Sequence, residues 1–369
     1  MTITRAYDAI LFASFGGPEG PQDVMPFLEN VTRGRGVPRE RLEEVSHHYL
    51  ELGGVSPINE QNTALIKAIE AEMANRGLDV PVYWGNRNWA PFMSDAVRDI
   101  HADGHSTVLA LATSAYSSYS GCRQYREDFA QALLDTDLSA DMRIDKVRVY
   151  FDSPGFLEPF ADGIVEALAE LTAAGQDTSG ARVYFTTHSV PNAMAESSGP
   201  PGMFDTPGGA YEAQHLAAAG LVAEMVERRG ASMPEWELTY QSRSGPPHIP
   251  WLEPDINDAL RAGHAEGVTT AIVVPLGFIS DHVEVIWDLD REAAETCEEV
   301  GLPMRRVSTP GTDSRFVATL VDLIEERITG DAAPALSELG PWRVPCAAGC
   351  CKNLRGDKPH VAWEDSPIP

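Results

Sequence analysis

The chain has 369 residues, more than one hydrophobic core ordinarily fills, so two domains of common size are expected. Hydrophobic residues at 43% and charged residues at 22% exclude disorder as the main state. Lys plus Arg total 28 against 55 for Asp plus Glu, a formal charge of −27. Such a surface repels phosphate backbones, which argues against nucleic acid as a partner, and otherwise reads as an adaptation for solubility or salt.

Met1 to Asp8 runs directly into an apolar segment, leaving no room for a targeting peptide, and no apolar run approaches the ~20 residues that span a bilayer. The expectation is a soluble, cytoplasmic protein. Asp8 to Phe15 reads as a buried parallel strand stopped by Gly16-Gly17-Pro18. Further strands are expected at Val80 to Trp84, Thr107 to Ala112 and Lys146 to Phe151, with amphipathic helices at Asn62 to Arg76 and Arg123 to Leu134. The plan repeats with strands at Arg182 to Thr187, Trp236 to Tyr240, Thr270 to Pro275 and Met304 to Val307. This alternation predicts an α/β fold of two doubly wound, Rossmann-like lobes with parallel sheets, over residues 1–155 and 156–330. Their boundary is expected near Phe151 to Ala161, and the carboxyl ends of their strands should share a cleft. Residues 331–369, rich in Pro and Gly, form a C-terminal tail that needs something other than an apolar core to order it. Gly16-Gly17-Pro18-Glu19-Gly20 lacks the dinucleotide-binding spacing, and no phosphate-binding loop occurs.

His188 closes the fifth strand and precedes a Pro-ended turn, so its ring should enter the cleft. Alone, it is more readily a hydrogen-bonded loop residue. The matching strand end supplies Asp281, His282 and Glu284, and Glu284, Asp288 and Glu292 then recur every four residues, stacking three acids along one helix face. A solvated acidic face is the bland alternative. The origin of the row at a strand end favours a cation path.

These segments resemble the ferrochelatases over about Asp8 to Thr329. The likeness is carried by Phe15-Gly-Gly-Pro, Leu52-Gly-Gly-Val-Ser-Pro, His188-Ser-Val-Pro, Gln241-Ser-Arg-Ser-Gly-Pro, Pro250-Trp-Leu-Glu-Pro, Ser280-Asp-His-Val-Glu and Trp287-Asp-Leu-Asp. The resemblance implies insertion of ferrous iron into a porphyrin, with porphyrin and Fe²⁺ as substrates. It implies His188 on one face of the ring as base or metal ligand and Glu284 on the opposite face, with His282, Asp288 and Glu292 in metal entry or proton exchange. Propionate contacts are implied near Phe15, Arg33, His48, Ser56 and Tyr125, with Arg35 beside Arg33. Family members from low-GC Gram-positive bacteria carry Tyr and Arg where this chain has Phe15 and His48, and a phenyl ring cannot ligate iron.

Five cysteines are present, and Cys346, Cys350 and Cys351 crowd into the tail. Clustered thiols in a reducing compartment suggest a metal site more than a disulfide, and Cys297 reads as packed within a helix. Some ferrochelatases hold a 2Fe-2S cluster on one internal and three C-terminal cysteines, and Cys122 aligns with the internal one. The resemblance thus implies a cluster on Cys122, Cys346, Cys350 and Cys351; the adjacent pair leaves Zn²⁺ open. The compact tail resembles the actinobacterial branch, which implies coproporphyrin III over protoporphyrin IX. A non-catalytic porphyrin or haem carrier and a cobalt chelatase for a corrin precursor are the rivals. A monomer is expected, with transient contact to neighbouring haem-pathway enzymes.

Overall fold

The computed structural model describes residues 6–34, 36–204, 206–245, 248–342, 344–347 and 349–361. Arg35 lies outside the described residues. The first half runs β1 (Ala9–Ser14), α1 (Pro21–Val31), α2 (Arg39–Glu51), α3 (Ile58–Asn75), β2 (Val82–Asn86), α4 (Met93–Ala102) and β3 (Thr107–Ala112). A π-helical turn (Tyr119–Arg123) then leads into α5 (Gln124–Asp135) and β4 (Arg143–Lys146). The second half runs α6 (Pro154–Ala173), β5 (Ala181–His188), α7 (Asn192–Glu196), α8 (Gly209–Arg228), β6 (Glu235–Gln241), α9 (Ile256–Glu266) and β7 (Thr270–Val274). It closes with α10 (Val283–Val285), a π-helical segment (Ile286–Ala293), α11 (Ala294–Val300), β8 (Met304–Arg306) and α12 (Ser314–Thr329).

Each half holds one four-stranded, all-parallel sheet, in the orders β2-β1-β3-β4 and β6-β5-β7-β8. The first strand of each half thus lies inside its sheet, and both halves follow one plan. Every residue of β1 is buried, as expected for an inner parallel strand covered on both faces.

Two local expectations need correction. The fourth strand is Arg143–Lys146, paired to Thr107–Ala110, and not Lys146 to Phe151. Val147, Val149, Tyr150 and Phe151 leave the sheet and fill the core shared with residues of the second half such as Phe185 and Val274, so their apolar run reflects packing between layers. The second concerns Tyr119–Arg123 and Ile286–Ala293, read from sequence as ordinary helix or its approach. Both are π-helical, a wider turn found most often at functional sites.

The halves are joined over a broad front. The 20-residue helix α6 spans the interval where a boundary was expected, and it packs against α12 and α8. There α12 comes so close that a Cβ on Gly155 would lie 2.0 Å from the Arg315 carbonyl oxygen. The same α12 reaches back to α3, where Arg76 pairs with Asp322 at 2.6 Å and Glu325 at 2.7 Å. The tail is also anchored. Trp342 is buried between Phe151 and Phe204, Arg148 donates to the carbonyls of Ala333 and Pro334 at 3.2 Å each, and Val361 enters the core beneath α5. Apolar contacts of Trp342 and Val361 therefore help to order the tail, which was expected to need something other than an apolar core. Among the described residues no helix is long and apolar enough to cross a membrane.

Candidate active site and cysteine centre

β5 delivers His188 at its carboxyl end, and the loop after β7 delivers Asp281, His282 and Glu284 beside it. The two strand ends touch through Gly277. Its N–H donates to the Thr186 carbonyl at 3.0 Å, and an added Cβ would meet Thr187 Oγ1 at 2.1 Å and Thr187 Cα at 2.8 Å. The Tyr211 hydroxyl, from α8, sits 2.8 Å from Thr187 Oγ1 and donates to the His188 carbonyl at 2.8 Å, holding that residue from below.

His188 Nδ1 lies against the Ser189 carbonyl oxygen, which can only accept, so the ring proton belongs on Nδ1. Nε2 is left as a bare lone pair. It faces Glu284 Oε2 at 3.9 Å, with the side chains 34% and 45% exposed. Two electron-pair donors at this separation invite a proton or a cation between them. A first-row metal bonded at about 2.1 Å to both, at a tetrahedral angle, would set the imidazole nitrogen and carboxylate oxygen about 3.4 Å apart, a small closure from this separation.

The expected placement of these two residues on opposite faces of a porphyrin is corrected here. A ring between them needs about 7 Å, twice an ordinary heavy-atom contact distance, and the gap is 3.9 Å. The two side chains lie on one side, because both come from adjacent strand ends of one sheet.

His282 is half-buried against Phe278, at 5.2 Å between ring centroids. Burial lowers its pKa, Glu284 opposes this and His188 adds to it, so the ring is neutral at pH 7. Asp288 lies one step along the π segment. Burial pushes its pKa up to about 7 against the hydrogen bond from Ser242, and Glu284 and Glu292 push it further up. Its Oδ2 accepts from the Ser242 hydroxyl and from Gln241 Nε2 at 3.2 Å, so the carboxyl end of β6 holds it. Glu292 is exposed at the outer end and accepts from Trp287 Nε1 at 2.8 Å. The acids therefore form a graded row from solvent to the imidazole.

The loop bearing Asp281 and His282 is clasped from the first half. Gln61, on α3, donates through Nε2 to the Asp281 carbonyl at 2.8 Å and accepts from the Asp281 N–H at 2.9 Å. Arg306 pairs with Asp281 at 2.9 Å. Sequence reading assigned no role to Gln61, because its partner lies 220 residues away.

The expected propionate contacts divide. His48 stacks on Trp287 at 4.0 Å, and Arg291, on the other side of the gap, pairs with Glu51 at 2.8 Å, so α2 faces the acidic row. Arg33 is exposed and donates to Asn30 within its own turn, and Phe15 packs edge-on to Phe27 at 6.1 Å. Ser56 and Tyr125 are only 4% and 3% exposed. Ser56 is packed under Gly17, and Tyr125 lies in the core with Arg87 4.1 Å over its ring. The physical reason is that α5 turns its apolar face, with Tyr125 and Phe129, inward.

A second centre lies in the tail. Cys122 follows Ser118 in the π turn, while Cys346, Cys350 and Cys351 come from the tail, and all four are buried. Cys351 has φ +52, the left-handed region, and this turn sets adjacent sulfurs Cys350 Sγ and Cys351 Sγ only 3.9 Å apart. Hydrogen bonds from Cys346 and Cys351 hold the Cys122 thiol well below the ordinary range, while the other three are pushed up. The Gly199 N–H donates to Cys351 Sγ at 3.2 Å. Cys297 is apart from them, buried in α11, with its thiol pushed up to about 11 by burial alone. Among the described residues no three His, Cys, Asp or Glu side chains surround a single point as they would around one bound ion.

The match to a family decides what this arrangement is. The ferrochelatase family model matches residues 7–328. The chain belongs to the ferrochelatase family. As a ferrochelatase it is a metal chelatase of the lyase class, taking porphyrin and iron as substrates. It is 55% identical to the coproporphyrin III ferrochelatase of Leifsonia xyli subsp. xyli, over 98% of this chain and 95% of that one. It is 54% identical to the coproporphyrin III ferrochelatase of Streptomyces coelicolor, over 98% and 97%. A structure of SirB from Bacillus subtilis with Fe³⁺ covers 88% of this ferrochelatase and 97% of that chain, at a TM-score of 0.49 and 10% identity.

Proposed function

We propose that this ferrochelatase inserts Fe²⁺ into coproporphyrin III to give coproheme, in the cytoplasm and as a monomer. The substrate follows the names of the similar actinobacterial proteins. The five cysteines are all free, which suits a reducing compartment. The observation that carries the chemistry is the pair His188 Nε2 and Glu284 Oε2 at 3.9 Å, at the head of a row whose Asp288 titrates near 7.

Metallation replaces two pyrrole protons by one dication, so the site must accept protons and deliver iron. His188 offers its Nε2 lone pair to a pyrrole proton or to the arriving metal. Glu284 holds the opposite charge beside it, which stabilises imidazolium or iron in the same place. Asp288, poised near neutrality, passes a proton outward towards exposed Glu292, or a hydrated cation inward, as carboxylates suit a hard ion in transit.

Side-by-side anaerobic turnover of coproporphyrin III and protoporphyrin IX tests the substrate; faster protoporphyrin metallation would reverse it. His188→Ala should abolish metallation while leaving porphyrin binding, and a variant that still metallates would favour the carrier reading. Gel filtration at working concentration checks the monomer, and a stable complex with a haem-pathway enzyme would show as an earlier-eluting species.

The four buried thiols fit a 2Fe-2S cluster in kind and number, since four cysteine sulfurs are what it needs. Cys122, Cys346, Cys350 and Cys351 would hold it, and the cluster would supply folding energy that joins the tail to the first half. The backbone already leads there, since the Cys351 N–H donates to the Gly199 carbonyl at 3.0 Å and Asn353 donates to Tyr119 and Glu127 at 3.1 Å. Brown protein with equal iron and sulfide supports this reading. Colourless protein with stoichiometric zinc replaces it.

A further inference from the structure

Arg126 presents a problem that the iron-insertion site does not solve. It is 0% exposed, and among the described residues its Nε and Nη1 have no hydrogen-bond partner. Its Nη2 donates to the Cys350 carbonyl at 3.3 Å, which places the guanidinium against the cysteine segment. The neighbouring acids are engaged elsewhere: Glu127 pairs with Arg123 at 3.2 Å and Asp128 with Arg87. A buried, unpaired guanidinium is costly, and it persists only if something anionic faces it.

The four cysteine sulfurs are that something. The sulfurs of Cys346, Cys122, Cys350 and Cys351 all lie near enough to the Arg126 guanidinium to interact with its charge. Two ferric ions, two sulfides and four thiolates sum to two negative charges, and one electron makes it three. Lys146, buried and donating to the Val147 carbonyl at 3.1 Å, also lies near enough to Cys122 for its charge to act on that thiol. Two buried cations thus face a dianion.

We propose that Arg126 is the resident counter-charge of the cluster, donating its Nε and Nη1 hydrogens towards the cysteine sulfurs and raising the reduction potential. The inference rests on the cluster reading above. Arg126 touches no porphyrin or iron in transit, so its effect is on the cluster's electron affinity and assembly. Hydrogen bonds to sulfur and net charge are the levers that set such potentials.

The test uses the full chain purified anaerobically, with dithionite as one-electron reductant. Wild-type iron and sulfide content first settles whether a cluster is present; zinc in its place removes the reading beneath the inference, and the inference with it. With cluster present, Arg126→Gln should shift the ratio of reduced to oxidised cluster at a fixed potential at least tenfold towards oxidised, about 59 mV for one electron. Arg126→Lys should recover part of the shift by retaining the charge. A cluster-loaded Arg126→Gln protein with unchanged potential overturns the role. Should Arg126→Gln fail to fold, electron spin-echo spectra of reduced wild type carrying ¹⁵N-guanidino arginine decide. Coupling to that nitrogen is expected, and its absence overturns the proposal.

Discussion

Asp288 shows how one carboxyl acquires a use from its surroundings. An ordinary aspartate is ionised at pH 7, but burial and two flanking acids push this one up to about 7. The native state therefore binds a proton that the unfolded chain has lost, so stability declines as pH rises from the unfolded pKa through about 7. Replacing Asp288 by Asn should raise the melting temperature more at pH 8 than at pH 5, as thermal scans at the two values will show. The same change should flatten the rise of metallation rate across pH 6 to 8, read by porphyrin fluorescence loss. The spacing of four among Glu284, Asp288 and Glu292 was legible in the sequence. The shifted pKa was not, because Ser242 and Gln241, which line its pocket, lie 46 and 47 residues away.

Between elements, the meeting of β5 and the loop after β7 depends on a missing side chain. A Cβ on Gly277 would stand 2.8 Å from the Thr187 backbone, next to His188, with no flexible atom to yield. Gly277→Ala should part the strand ends, costing about 1–3 kcal/mol as overpacking does and lowering kcat at least tenfold, measured by denaturant titration and iron insertion. Gln61 offers a contrast. Its two hydrogen bonds fix the Asp281 backbone from α3, so Gln61→Ala should lower kcat with a smaller change in KM and cost about 1–3 kcal/mol, since two half-buried bonds are lost. An unchanged kcat would show that the loop needs no such clasp. The helical pattern after Asp281 was readable, but its π winding was not, because one extra residue per turn leaves little trace in hydrophobic spacing.

Across the whole molecule, the tail is fastened at two kinds of site, aromatic packing at Trp342 and the cysteine centre beyond it. Under the proposed cluster, Cys122→Ser should remove its brown colour, and with it the link from the tail to the π turn. Limited proteolysis should then cut residues 345–361 at least tenfold faster while Trp342 fluorescence stays native-like. Equal cutting rates would assign the fastening to the packing alone. What the amino-acid order determined by itself was everything written in local periods: alternating strands and helices, imidazoles at two strand ends, acids every fourth residue, thiols gathered in a tail. Tertiary structure alone decided that His188 and Glu284 share one side, that Ser56 and Tyr125 are buried, and that Arg126 lies against the cysteine segment. These outcomes depend on contacts between segments tens to hundreds of residues apart, whose geometry no local pattern encodes.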